Sequence, residues 1–411
     1  MKLSEELTWR GLINQTTLSD ITSLDEQQWV TYHGFDASAD SQTIGNLAAM
    51  MLDRVFARHG HKIILLAGGA TSLIGDPGGK DSERSMQPEE VITNNVIKAE
   101  DQLKKIFSDN DFTLVNNLDW FKDMKMIDFL RDVGKHFGMS TLVQRDYIAQ
   151  RIGKDGSGIS FTEFSYTLLQ GYDFLYLHDK YNVNLQLAGS DQWGNALSGV
   201  DLVRKTRGKE MNVITLPLII NKATGKKFGK SEAGAIWLDE QKTSVYQFYQ
   251  FWLNVGDESV GDYLKIYTDI MPEAFDALMQ EFKNNPAERA AQEKLAYEVT
   301  KLVHGEDRAN SAVAVTEVLF GNKTIIEVSN NDIKMLSKEI PTVSLGKQLI
   351  DALVETRLAS SKGEARRFIE ANAVSINGQK TQSDQVIDQL ALIKRGKNNF
   401  ALVCDESHYS S

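Results

Sequence analysis

Five consecutive apolar residues, Ile63 to Ala67, run straight into Gly68-Gly69, and this junction limits the possible folds more than any other stretch of the chain. A segment that is apolar at every position must be covered on both faces, the condition of a parallel strand inside an α/β sheet. Parallel neighbours need long crossover connections, usually helical. The flanking sequence supplies them. Val30 to Phe35 reads as a strand ending in a turn. Thr43 to His59 reads as a helix with Leu47, Met51 and Val55 on one face and Gly60 as its stop. Phe112 to Val115, Val183 to Leu187 and Val213 to Leu216 repeat the strand pattern, with helical segments between them. The order predicts a Rossmann-like, doubly wound parallel sheet, whose ligands bind beyond the C-terminal ends of its strands.

After Glu240 the pattern becomes helical. Asn285-Pro286 is a helix start, and Leu295, Val299, Leu302 and Val303 share an apolar face that ends at His304-Gly305. A polar linker is expected over 329–342. Beyond it the pattern gives a helix from Leu345 to Glu355, a second from Ser361 to Glu370, and a hairpin, Val374 to Ile376, turning at Asn377-Gly378. The expected domains are 1–225, 226–328 and 343–411. A chain of 411 residues fits two or three such units.

Composition excludes several classes. No apolar run is long enough to span a membrane, and Met1 to Trp9 lacks the basic start and apolar core of a signal peptide. A single cysteine, Cys404, rules out an internal disulfide and a cysteine-rich zinc site, which fits a reducing cytoplasm. The net charge of −11 argues against a general nucleic-acid coat. The tail differs in kind: from Pro341 onward it holds nine Lys and Arg against eight Asp and Glu. Lys362, Arg366 and Arg367 share one helix face, which is either a solvated surface or a contact for RNA.

Five segments carry candidate chemistry. Tyr32 to Asn46 joins a strand to a helix whose free N–H groups favour phosphate, and Gly45 there lets a flat ligand approach the backbone. Gly68 to Lys80, followed by Arg84, is glycine-dense at a strand end but matches neither P-loop nor dinucleotide spacing. On a helix, Tyr166, Gln170 and Asp173 fall on one face, where they could hold an ammonium and a hydroxyl in one pocket. Gln186 to Asn195 is another strand-to-helix turn, with Asp191 suited to a ribose and Gln192 to a carbonyl. Lys226 to Ser231 is a cationic loop one residue short of a P-loop, leaving a P-loop NTPase as a structural rival. Read singly, most of these are ordinary capped turns or solvated charge.

In this order, GFDASAD, GGATSLIGDP, FLRDVGKHF, GISFTEFSY, GSDQWGN, KFGKS and YQFW resemble the bacterial type of tyrosyl-tRNA synthetase, a class I aminoacyl-tRNA synthetase, over essentially the whole chain. The resemblance implies activation of L-tyrosine by ATP, with Mg²⁺, and transfer to tRNA(Tyr). It implies that Tyr32 and Asp173 bind the substrate phenol, and that Asp76, Tyr166 and Gln170 bind its ammonium. Asn117 and Trp120 would support that pocket. Asp36, Gln186 and Gln192 would position the backbone end of the substrate. His33, Gly34 and Asp191 would line the ribose, and Ser38, Thr43, Gly45 and Asn46 would face the nucleotide. Lys80, Arg84, Lys227, Lys230 and Ser231 would serve the departing pyrophosphate. Phe161 and the segment Phe129 to Phe137 resemble the family's homodimer interface, 226–328 its helical anticodon-side domain, and the tail its S4-like RNA-binding module.

One departure stands out. The family's usual His-x-Gly-His signature reads Thr43-Ile44-Gly45-Asn46 here, and His33 stands where cysteine is common. The expectation is an active enzyme with altered ATP handling, as in a second copy beside a standard one. A non-catalytic paralogue and an enzyme with another acceptor are the alternatives.

Overall fold

The strand that opens the argument is β3 (Lys62–Gly68), and in the computed structural model its residues Ile63 to Ala67 are all buried. The structure describes the chain apart from 77–86, 144–145, 153–156, 221, 223–224, 226–227, 229, 232–233 and 409–411, and gives backbone alone for 141, 146–147, 150 and 230–231. β3 lies in a six-stranded sheet with β1 (Gln15–Thr16), β2 (Val30–Asp36), β4 (Thr113–Asn116), β5 (Leu185–Gly189) and β6 (Asn212–Leu216). The spatial order is β1-β6-β5-β2-β3-β4. All neighbours are parallel except β1, which pairs antiparallel with β6 at the edge. From β2 the chain winds outward through β3 and β4, then returns to β5 and β6 on the other side. The expected doubly wound sheet is therefore present, with its switch point between β2 and β5. The two-residue edge strand β1 was not expected; it is too short to show a period.

Five helices frame the site: α1 (Ile44–Arg58), α2 (Gly69–Ile74), α3 (Glu89–Ile106), α4 (Phe161–Tyr181) and α5 (Trp193–Arg207). Capping sets the limits of α4. Ser160 Oγ accepts from the Glu163 N–H at 3.2 Å and Glu163 reaches back to the Ser160 N–H at 3.2 Å, a reciprocal pair that satisfies two free helix donors. Asn182, in the left-handed conformation at φ 60°, ends it. Glu163 also takes a bidentate hydrogen bond from the buried Arg151, at 2.6 and 2.9 Å.

The chain divides into two units, Met1–Thr243 with Val255–Leu295, and Ser244–Asn254 with Ala296–Ser411. Residues 255–295 thus belong with the sheet. In the second unit, the tail forms a five-stranded sheet ordered Gln379–Lys380, Val374–Ile376, Ala391–Arg395, Asn399–Cys404, Thr342–Ser344. Leu349, Leu353, Ala365, Ile369, Val374, Ile393 and Val403 make its core. Asn377 and Gly378 both have positive φ, 49° and 81°, as the expected tight hairpin requires.

Three expectations are corrected. Pro286 opens a short 3-10 turn, and the helix proper is Ala290–His304. The first tail helix begins at Leu349, because Lys347–Gln348 pairs with Val386–Ile387 after a turn at Gly346. The span 329–342 is no bare linker. It holds a helix, Asn330–Glu339, capped by Ser329 and anchored by buried Ile333 and Leu336, an apolar pair too sparse to stand out among polar neighbours. Among the described residues no helix is long and apolar enough to cross a membrane.

Candidate active site

β2 and β5 pair only through Thr31 with Leu185 and Tyr32 with Gln186. Beyond those pairs the strands part, and a cleft of about 360 Å³ opens at their C-terminal ends. In open α/β sheets a ligand binds at such a switch point, beyond the C-terminal ends of the strands. β2, β5, the N-terminal turn of α1 and one face of α4 form its walls.

At the buried end stand Tyr32, 1% exposed, and Asp173, also 1% exposed. Two donors hold the Asp173 carboxyl from behind: Trp120 Nε1 to Oδ1 at 3.0 Å and Asn117 Nδ2 to Oδ2 at 3.2 Å. Asn117, itself fully buried, is fixed in turn by the Ala70 N–H at 2.7 Å and by its own bond to Thr71 Oγ1 at 3.0 Å. Burial still dominates and pushes the Asp173 carboxyl up to about 8, against the pull of Asn117 and Trp120. Burial, then the nearby Asp173, drives the Tyr32 phenol well above its usual range, so it stays a donor. Its hydroxyl has no partner among the described residues. A phenol donor beside a carboxyl acceptor suits a ligand hydroxyl that accepts from one and donates to the other.

The next layer is rich in acceptors. Gln170 Oε1 and Gln186 Oε1 are buried without partners among the described residues. Such atoms cost free energy unless a ligand supplies donors. Tyr166 and Asp76 line the same cleft, and Gln192 Nε2 donates to Asp76 Oδ2 at 2.7 Å. Asp36 lines it as well, its Oδ1 accepting from the Ser38 N–H at 3.0 Å and Ser72 Oγ at 2.8 Å. Tyr166, Gln170 and Asp173 therefore do present one helix face to one cavity, as their spacing predicts.

The more open end is built around α1. Asn46 Oδ1 accepts from the Thr43 N–H at 3.0 Å and from the Thr43 hydroxyl at 2.8 Å. Both residues line the cleft, but the Thr43 proton is spent on Asn46, while the Asn46 amide retains its N–H donors. Gly45, His33, Gly34 and Asp191 are also in the lining. His33 Nδ1 lies 2.9 Å from Oδ2 of Asp53, a fully buried residue of α1.

The segment after the cationic signature, Ile236 to Leu238, is tied to this end by backbone. The Ile44 N–H donates to Ile236 O at 3.1 Å, the Leu238 N–H to Gln42 O at 2.9 Å, and Thr43 bridges Trp237. Lys230–Ser231 forms a small ribbon with Gly234–Ala235. Phe228 lines the cleft and stacks on Tyr263 at 4.1 Å.

Not every expected residue is in the lining. Asn117 and Trp120 act from behind Asp173. Ser38 is outside the lining and turns on Asp36. Lys80, Arg84 and Lys227 lie outside the described residues, and Lys230 and Ser231 are described by backbone alone. In the segment expected at an interface, Phe129 to Phe137, Val133 is buried, Phe129 and Phe137 pack on the core and Leu130 is exposed; Phe161, also expected there, is 75% exposed, and Met126 at 76% and Ile127 at 71% are exposed just before the segment. Sequence reading missed Asp53, Thr71, Ser72 and Phe228. Asp53 left a signal: a carboxylate on a helix stretch, Met50 to Phe56, that is apolar apart from it and Arg54.

Known proteins bear on the geometry. The model for tRNA synthetases class I (W and Y) matches residues 24–321, and that for the tyrosine–tRNA ligase SYY-like C-terminal domain matches 332–403. The tyrosine–tRNA ligase of Escherichia coli strain 55989 is 42% identical over 98% of this chain and 98% of its own. The chain belongs to the tyrosyl-tRNA synthetase family. The tyrosine–tRNA ligase of Salmonella arizonae is likewise 42% identical, over 98% of this chain and 97% of its own. Among solved structures, a C-terminally truncated Aspergillus nidulans mitochondrial tyrosyl-tRNA synthetase aligns with a TM-score of 0.70 at 30% identity, covering 78% of this chain and 94% of its own. A tyrosyl-tRNA synthetase from Archaeoglobus fulgidus, complexed with L-tyrosine, shares the fold at a TM-score of 0.55 and 14% identity, over 76% of this chain and all of its own. Membership of a tyrosyl-tRNA synthetase family makes the chain an aminoacyl-tRNA ligase with ATP as substrate. These likenesses do not support the expectation that it is a second copy.

Proposed function

We propose that this chain activates L-tyrosine with ATP to form tyrosyl-adenylate and pyrophosphate, then passes the tyrosyl group to the 3′ end of tRNA(Tyr). One observation carries the reading: the unpartnered Tyr32 hydroxyl and the buried Asp173 carboxyl share the deep end of a cleft whose open end is a helix N-terminus. The substrate phenol donates to Asp173 and accepts from Tyr32. Its ammonium meets Tyr166, Gln170 and Asp76, and its carboxylate end meets Asp36, Gln186 and Gln192. The nucleotide lies over Gly45, with Gly34, His33 and Asp191 at the ribose and the Asn46 amide toward phosphate.

The first step needs no general base. The tyrosine carboxylate is already an anion; its oxygen attacks the α-phosphorus, and the bond to pyrophosphate breaks. What remains is alignment and stabilisation of charge as it develops. Lys80, Arg84, Lys227 and Lys230 are proposed for that charge. In the second step a terminal ribose hydroxyl of the tRNA attacks the acyl carbon and AMP leaves. Mg²⁺ is proposed to enter with the triphosphate, as ATP chemistry requires.

We propose that residues 1–225 carry the tyrosine and ATP site, that 226–328 supply the signature loop and the helices of the anticodon side, and that the tail from 343 is an S4-like RNA contact. Exposed Met126, Ile127, Leu130 and Phe161 support a homodimer interface, in an enzyme working in the cytoplasm. Tyrosine-dependent exchange between pyrophosphate and ATP tests the first step, and loading of purified tRNA(Tyr) tests the second. Absence of exchange would leave a non-catalytic binding protein. Exchange without loading would mean another acceptor.

A further inference from the structure

We propose that Asp53 is a positioning residue, whose buried carboxylate fixes the His33 imidazole so that its Nε2 accepts a hydrogen bond from a hydroxyl of the ATP ribose. The proposal rests on the reading that nucleotide occupies the α1 end of the cleft.

The geometry is specific. Asp53 is fully buried on the inner face of α1, among Met50, Met51, Leu52, Val55 and Phe56, all buried too. Helical periodicity makes this an apolar position, and an isolated carboxylate there is costly. Its Oδ2 contacts His33 Nδ1 at 2.9 Å, and its Oδ1 has no partner among the described residues. His33 is thus the one partner of that carboxylate among the described residues. The ring is held on a second side by Phe35, stacked at 4.5 Å with 24° between the planes. It is 6% exposed and lines the cleft. With Nδ1 turned to Asp53, the proton of a neutral imidazole is placed on Nδ1, and Nε2 remains as the acceptor toward the ligand. The arrangement also offsets a loss. The α1 N-terminus offers Thr43, whose hydroxyl is committed to Asn46, and no histidine. The imidazole comes instead from β2, and its anchor comes from α1.

The test is a double-mutant cycle on the full-length enzyme, read as tyrosine-dependent pyrophosphate exchange. His33→Ala and Asp53→Leu should each raise the KM for ATP about tenfold, the usual cost of one lost hydrogen bond to a buried group, with the KM for tyrosine little changed. The double variant should be no worse than His33→Ala, because Asp53 acts through His33. 2′-deoxy-ATP and 3′-deoxy-ATP identify the hydroxyl: the wild type should discriminate against one of them, and His33→Ala should lose that preference. Additive penalties, or equal rises in both KM values, would overturn the proposal and leave Asp53 a structural residue. Should Asp53→Leu fail to fold, Asp53→Asn takes its place, and ¹⁵N-histidine spectra give an independent reading. The wild-type His33 should carry its proton on Nδ1 and shift tautomer in the variant; an unchanged tautomer refutes the idea. A wild type that exchanges normally while the cycle is additive sinks only this proposal. A wild type without exchange sinks the reading it rests on, and the proposal with it.

Discussion

At the scale of single residues, Asp173 carries the sharpest consequence. Its carboxyl is raised to about 8, so the folded, ligand-free protein holds a proton there that the unfolded chain releases at much lower pH. The unfolded state binds fewer protons in that window, so stability is full below the ordinary carboxylate range and falls as pH climbs through about 8. Asp173→Asn should remove this loss: thermal melts at pH 6 and 9 should converge in the variant and stay apart in the parent. Tyrosine donates to the ionised form, so its binding at neutral pH should release protons, seen by calorimetry in buffers of different ionisation enthalpy. Gly45 makes a prediction of the opposite kind. A Cβ there meets nothing closer than Thr43 Oγ1 at 3.5 Å, so the fold itself does not demand glycine. Gly45→Ala should hold stability or raise it by up to about 1 kcal/mol, as expected for a helix residue. The KM for ATP should nevertheless rise about tenfold, because the methyl fills space meant for the nucleotide. Unchanged ATP kinetics would mean that the nucleotide lies elsewhere.

Between elements, long-range polar contacts do what sequence could not reveal. Glu6 and Arg10 are both buried, paired at 2.7 Å, and Arg10 also donates to the carbonyls of Lys265, Thr268 and Ile270. Burial by itself would raise the Glu6 carboxyl, but His59, Arg10 and Arg58 overcome it and hold it at about 2. Glu6→Ala leaves Arg10 without its carboxylate and should cost about 3–5 kcal/mol, measured by denaturant unfolding. Helices and strands with a clear period were legible from the chain: α1 and β3 fall within a residue or two of their expected limits, and Tyr166 to Asp173 is helical as its spacing predicts. The strand ends that carry the site were legible as strings too. Their convergence was not. Tyr32 lies on β2 and Asp173 on α4, and they meet because α4 packs against the sheet, with the Phe174 ring edge-on to Tyr32 at 5.1 Å; chain order does not state that. Asp53 is explained only by His33 beside it, a contact between α1 and β2 that the chain alone does not show. The Arg10 clamp joins residues some 250 positions apart, and no local pattern announces such a pairing.

For the molecule as a whole, charge is split between an acidic body and a tail of balanced charge. Arg366 and Arg367 are exposed on one helix face of the second unit. Replacing both by glutamate should lower the ratio of tRNA loading to pyrophosphate exchange about tenfold at low salt, with the deficit shrinking as salt rises, because phosphate contacts act through counterion release. A deficit that ignored salt would argue against direct RNA contact. The seam between β2 and β5 has a consequence for anyone who would engineer this enzyme. Two rungs close it on the side of β5, while seven join β2 to β3. Hardening the β3 side would leave that gap open. Zipping a third rung into the other side would gain ruggedness by sealing the very gap through which substrates enter, so heat tolerance and turnover compete for the same few peptide groups.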